Sequence, residues 1–188
     1  QEIGGKTYAD VGFDQWGASG LAVAWAEENT RDSIFKAFKR KETFATTGTR
    51  MAVRFFAGFD MESIDLDSED MVQNAYAKGV TMGADLFGNN DQAPQFLVWA
   101  QRDKLGAPLQ RVQIIKGWVE NASGTPKEEI YDVACSDGLS ADPLTNRCPD
   151  NGARVNINDC SISNDVGAGE LKTTWTDPNF DPTIKAFY

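Results

Sequence analysis

The sequence predicts a mainly β protein: a β-sandwich, immunoglobulin-like or similar, with one α-helix near its N-terminus. Three observations carry that prediction. Short β-rich runs recur from residue 43 onward, separated by Gly, Pro and Asp turn residues. Only the segment 30–42 spaces its apolar residues as a helix does. The chain has 188 residues, 41 % hydrophobic and 24 % charged, which suits one soluble domain, or one domain plus an appendage. That length buries a core without metals or many cross-links.

Gly4, Gly5, Gly12, Gly17 and Gly20 crowd the first stretch, which reads as an irregular lead-in. Residues 21–26, Leu-Ala-Val-Ala-Trp-Ala, form an apolar run compatible with helix or strand. Thr30 then offers an N-cap, with Asp32 in the first turn where the helix dipole favours a negative charge. Ile34, Phe35, Ala37 and Phe38 make an apolar face, and Lys36, Lys39, Arg40 and Lys41 crowd the far end. That face needs a partner. Either Phe38 is buried within this chain, or the face waits for a partner outside it.

Beyond the helix the period changes to that of strands. Thr43–Thr47 is β-rich and stops at Gly48, and residues 50–59 read as a strand. Six carboxylates follow in 60–70, then a short helix or exposed loop to about Ala77. Residues 95–102 and 111–120 are strands flanking the turn 103–108. Residues 129–135, 154–160, 170–175 and 184–188 complete the strand list.

Charge and composition exclude several functions. The net charge is −10 and the pI about 4.5, so nucleic acid and anionic membrane are disfavoured as partners. No apolar run approaches the roughly 20 residues of a membrane-spanning helix, so no membrane insertion is expected. There is no histidine, which excludes Ser-His-Asp and Cys-His catalysis and His-ligated zinc. Three cysteines do not make a four-thiolate site.

The remaining motifs have bland readings that outweigh the functional ones. The acids Asp60, Glu62, Asp65, Asp67, Glu69 and Asp70 lack the Gly and Glu positions of an EF-hand loop and read as a solvated loop. Asp142, Asp150, Asp159 and Asp165 read as turn residues. Five tryptophans offer a sugar-stacking platform, but those inside apolar strands read as core. Arg31, Arg40, Arg50 and Arg54, with the helix lysines, offer an anion or domain-contact surface. Ordinary solvated charge at a helix end and on a solvent-facing strand is the better reading of them. No catalytic, cofactor-binding or metal-ligating residue is assigned.

Cys135, Cys148 and Cys160 fall in the last third, where a disulfide would staple a long loop and imply an oxidising compartment, periplasmic or secreted. Pairings 135–148 and 148–160 close loops of nearly equal length, so loop entropy does not choose between them. Cys135–Cys148 is preferred and Cys160 is left unpaired, because Cys160 follows the strand-like 155–157, where a partner on a terminal strand expected beyond Tyr188 could reach it.

The run Gly20–Arg31 continuing through Ile34–Arg50 resembles one bacterial family. Val53–Gly58, Tyr76–Val80, Phe96–Ala100, Gln113–Trp118, Tyr131–Ala134, Trp175–Pro182 and Ala186–Tyr188 extend the resemblance over nearly the whole chain. The family consists of long proteins catalogued as a domain of unknown function, number 3604, related to the PHP (polymerase and histidinol phosphatase) metallohydrolases. The resemblance implies a C-terminal portion of such a protein. Residues 1–48 would be the end of the catalytic domain, with helix 30–42 left from its PHP-like barrel, and 49–188 a β-sandwich accessory domain. The divalent metal and its His and Asp ligands would lie upstream, in the catalytic domain that is this portion's partner, and the portion itself would hold no cofactor. The competing expectation is an independent secreted β-sandwich module binding carbohydrate or calcium.

Overall fold

The computed structural model describes residues 2–3, 5–7, 20–88 and 92–188. Trp16 and most of the expected lead-in lie outside the described residues. Near the start, β1 (Glu2–Ile3) and β2 (Lys6–Thr7) form a short antiparallel pair. The ambiguous run 21–26 resolves as a strand, β3 (Ala22–Ala24), paired antiparallel with β4 (Thr43–Ala45).

Between these strands, α1 (Arg31–Arg40) starts and stops where its side chains dictate. Thr30 Oγ1 accepts the Ser33 N–H at 3.3 Å, and Asp32 occupies the first turn. Lys41 turns left-handed at φ 60°, and the Glu42 N–H returns to the Ala37 carbonyl at 3.1 Å. Capping trims the expected helix at both ends. The expected apolar face is only partly covered: Ala37 is fully buried, whereas Phe35 and Phe38 are 61 % and 54 % exposed. Of the two expectations for Phe38, burial within this chain is the one that does not hold.

The main sheet has four antiparallel strands in the order β10 (Glu170–Thr176), β7 (Gln95–Gln101), β5 (Ala52–Gly58) and β6 (Gly79–Thr81). A second, three-stranded antiparallel sheet runs β11 (Ala186–Phe187), β8 (Arg111–Val119) and β9 (Pro126–Cys135). The chain is thus mainly β and sandwich-like, as its turn-punctuated strands predict. β6 escapes the sequence reading because three residues are too few to show a period.

Strand alternation assigns the two faces of the main sheet. Phe56 and Leu97 stand opposite each other and pack under α2 (Met71–Lys78), joined by Met61, Ile64, Met71 and Ala75. Full burial of a side chain such as Leu97 stabilises by about 1.5–3 kcal/mol. Gly58 pairs with Gly79 beneath this cluster, and a Cβ on Gly79 would lie 2.2 Å from both the Met61 methyl and the Ala57 carbonyl oxygen. On the opposite face Phe96 and Trp175 form the next register pair and meet the second sheet. The Tyr131 and Trp175 rings lie 4.8 Å apart, and those of Phe96 and Tyr188 4.4 Å.

One expected strand does not form. Residues 154–160 make only the isolated bridge Val155↔Ile162, and Val155 and Ile157 are 60 % and 89 % exposed. Their β-branched side chains lose to the polar residues between them. Asn156 Oδ1 accepts the Asn158 N–H at 3.0 Å, and Asp159 Oδ1 accepts the Ser161 N–H at 2.9 Å. Such local side-chain bonds offer the backbone an alternative to a ladder. Cys160 follows in a left-handed conformation, φ 59°.

Candidate functional site

Along β8 the inward positions are Val112, Ile114 and Lys116, all buried, while Arg111, Gln113 and Ile115 are exposed. The third inward position thus places a cation between the sheets. Lys116 Nζ donates to Asp177 Oδ2 at 2.6 Å and to the Asn179 carbonyl at 2.7 Å. The carboxylate of Asp177 is wholly shielded from solvent, and the Lys116 side chain is 7 % exposed.

Three elements converge here. Asp177 directly follows β10, and its N–H is anchored on the Pro94 carbonyl at 3.3 Å, just ahead of β7. Tyr188, one residue past β11, donates its hydroxyl to Asp177 Oδ2 at 2.6 Å, and the Asn179 N–H reaches Oδ1 at 2.9 Å. Asn179 Nδ2 in turn donates to the Tyr131 hydroxyl at 3.0 Å and to Glu129 Oε2 at 3.4 Å. Burial, reinforced by the Asp177 acceptor, pushes the Tyr188 phenol well above its ordinary range. Tyr131 is raised by burial and by Glu129. Both are hydrogen-bonding hydroxyls at neutral pH, so the cluster is a charge-balanced lock between the sheets. A cavity of about 330 Å³ opens beside it.

Sequence reasoning missed this cluster. The available signal was Lys116 itself, in phase with Val112 and Ile114 on a strand whose opposite positions are solvent-facing.

A second buried carboxylate fixes the long loop after β9. A register shift between Val112 and Gln113 places Asp132 opposite Gln113. Asp132 Oδ1 accepts from Gln113 Nε2 at 2.6 Å and Oδ2 from the Cys148 N–H at 2.7 Å, with Arg147 at 3.3 Å and Arg111 at 3.6 Å. Burial would raise this carboxyl, but the Gln113 and Cys148 donors and the two guanidinium groups outweigh it and hold the carboxyl below its usual range.

Cys148 is joined to Cys135 by a disulfide with Cα atoms 5.7 Å apart, the expected pairing. Cys160 is exposed and unpaired among the described residues. Replacing both Cys135 and Cys148 with Ala is expected to lower stability by about 3 kcal/mol, the chain-entropy value for a loop of this size. Urea unfolding of the two proteins checks this, and equal midpoints would show that the Asp132 bonds close the loop unaided.

The basic residues divide into two groups. Arg40 places Nε and Nη2 on Glu42 Oε2 at 3.4 and 3.3 Å. Arg54 lies over the Trp25 ring at 3.8 Å and donates to the Tyr76 hydroxyl at 3.1 Å, and Tyr76 donates to the buried Glu42 carboxylate. Burial first, then Glu42, raises the Tyr76 phenol. Trp25 Nε1 adds a bond to the Val53 carbonyl at 3.0 Å, so this cluster ties residues 20–48 to the main sheet. Arg31 stands exposed at the start of α1, and Arg50 contributes its backbone N–H to Asp103 Oδ2 at 2.8 Å. The structure brings Arg40 and Arg54 to one cluster and leaves Arg31 and Arg50 out of it.

The acidic stretches serve as turns and surface pairs. Asp60 meets Lys78 at 2.6 Å, and Asp67 meets Lys172 at 3.2 Å. Asp142 caps the Leu144 N–H at 2.7 Å, and Asp150 pairs with Arg154 at 2.8 Å. Among the described residues, no three Cys, Asp or Glu side chains are grouped to hold a metal ion. Among the same described residues, no helix is long and apolar enough to cross a membrane.

No curated protein and no solved structure matches the chain. Residues 2–188 match the family described as "Protein of unknown function (DUF3604)", and the chain belongs to that family.

Proposed function

We propose that this chain is the non-catalytic C-terminal accessory portion of a longer, PHP-like, metal-dependent hydrolase, and that it serves the catalytic part upstream by packing against it through α1. One observation carries the reading: α1 is anchored on its inner side by fully buried Ala37, yet exposes two phenylalanine rings on the other. Lys39 lies 6.0 Å from the Phe35 ring centroid, and Arg31 opens the helix. Exposed aromatic rings and arginine are enriched at contact surfaces. In this reading residues 1–48 end the catalytic domain and 49–188 form the accessory sandwich. The divalent metal is held upstream by His and Asp residues, and the disulfide points to a periplasmic or secreted location.

Phe38→Ala tests the role of α1. Within residues 1–188 it is expected to lower unfolding free energy by about 1 kcal/mol or less, since half the ring is already in water. In the longer protein, the pair Phe35→Ala and Phe38→Ala should lower the melting temperature of the upstream part or separate it from this one in limited proteolysis. Full retention of both would rule out α1 as the contact.

A further inference from the structure

We infer that the cavity beside the Lys116–Asp177 pair is a binding site for a neutral sugar, one pyranose ring in size, with Trp118 as its stacking wall. The inference is independent of the accessory role proposed above. The cavity, about 330 Å³, sits at the small end of the roughly 300–1,000 Å³ typical of ligand sites. Its walls are of two kinds. Trp118, Tyr188 and Phe180 supply aromatic surface, and Glu129, Asn179 and Asp181 supply polar groups around it.

The charges select the ligand class. Lys116 lines the cavity, and its Nζ lies 5.4 Å from the Trp118 ring centroid and 5.9 Å from that of Tyr188, the position a ligand cation would need. A cationic guest would find that place by the rings already filled by the ammonium. An anionic guest would meet Glu129 and Asp181, and Lys116 is already balanced by Asp177 at 2.6 Å. A neutral guest needs neither the occupied place by the rings nor a free counter-charge.

Unused hydrogen-bonding capacity fits hydroxyl groups. Lys116 places two of its three ammonium protons, on Asp177 and Asn179, leaving one. Asp181 Oδ1 accepts from the Thr183 N–H and hydroxyl at 2.8 and 2.7 Å, and Oδ2 has no partner among the described residues. Asn179 uses its side-chain Nδ2 and keeps its side-chain Oδ1 as an acceptor. A pyranose presents an apolar C–H face and a rim of hydroxyls that both donate and accept, which matches a ring wall bordered by these groups.

The test is isothermal titration of residues 1–188 with glucose, galactose, mannose and N-acetylglucosamine, and with cellotriose and maltotriose, each to about 50 mM, which reaches dissociation constants in the millimolar range. Choline and inorganic phosphate serve as the cationic and anionic arms. At least one sugar is expected to bind saturably. Preference for a trisaccharide would identify a glycan chain as the source, and equal binding of a monosaccharide a free sugar. Trp118→Ala is expected to weaken binding at least about tenfold, and Asp181→Asn, which keeps the Thr183 acceptor, about fivefold. Saturation by choline or phosphate without sugar binding, no saturation by any sugar, or unchanged sugar affinity in both folded variants would overturn the assignment.

Discussion

Replacing Asp177 with Ala is expected to destabilise the fold by about 3–5 kcal/mol, the cost of leaving one partner of a buried ion pair uncompensated. The expectation rests on asymmetry. The Lys116 side chain is 7 % exposed and, among the described residues, has only one other acceptor, the Asn179 carbonyl at 2.7 Å. Without the carboxylate, its ammonium is stranded between two sheets, and the Tyr188 hydroxyl loses its acceptor as well. The companion change separates the cost of stranding from the worth of the pair. With Lys116→Met added to Asp177→Ala, the stranded charge is gone and much of the lost stability should return, because an apolar replacement of a buried pair is often neutral or better. Urea midpoints of the single and double variants measure this. An Asp177→Ala midpoint within about 1 kcal/mol of the parent would mean that water reaches Lys116 and the lock is open.

The same residues mark how far the sequence can be read. Strands with a clean alternation and a turn at each end were legible: β7, β8 and β10 lie within a residue or so of where Val, Ile, Phe and Trp place them. The helix was legible because its stop signals are local, Thr30 at one end and the basic last turn at the other. Residues 154–160 misled because strand propensity is a weak preference, which Asn156 and Asp159 override by bonding their own backbone. The lock was half legible. A lysine in phase with Val112 and Ile114 announces a buried cation, but its acceptor lies 61 residues away and is chosen by sheet packing. Phe38 shows the converse. Helical spacing says which side chains share a face and is silent on what covers that face.

Asp132 gives the second large effect, and its pH dependence has a definite sign. Asp132→Ala is expected to cost about 3 kcal/mol or more at neutral pH, since it removes the shared acceptor of Gln113 Nε2 and the Cys148 N–H and leaves those donors under the loop. The guanidinium groups contribute less, because Arg111 and Arg147 are 38 % and 45 % exposed and solvent screens them. The folded-state carboxyl is held below its unfolded value of 3.8. A depressed carboxyl contributes stability that is present in full above the unfolded pKa and is lost as pH falls through the folded one. The difference in unfolding free energy between the parent and Asp132→Asn should therefore be constant from pH 7 down to about 5 and shrink below about 4. Taking the difference cancels the other carboxylates, which titrate alike in both proteins. Urea unfolding at a series of pH values measures it. A difference that stays level down to pH 2 would assign the effect to packing and hydrogen-bond geometry, with the charge of Asp132 playing no part.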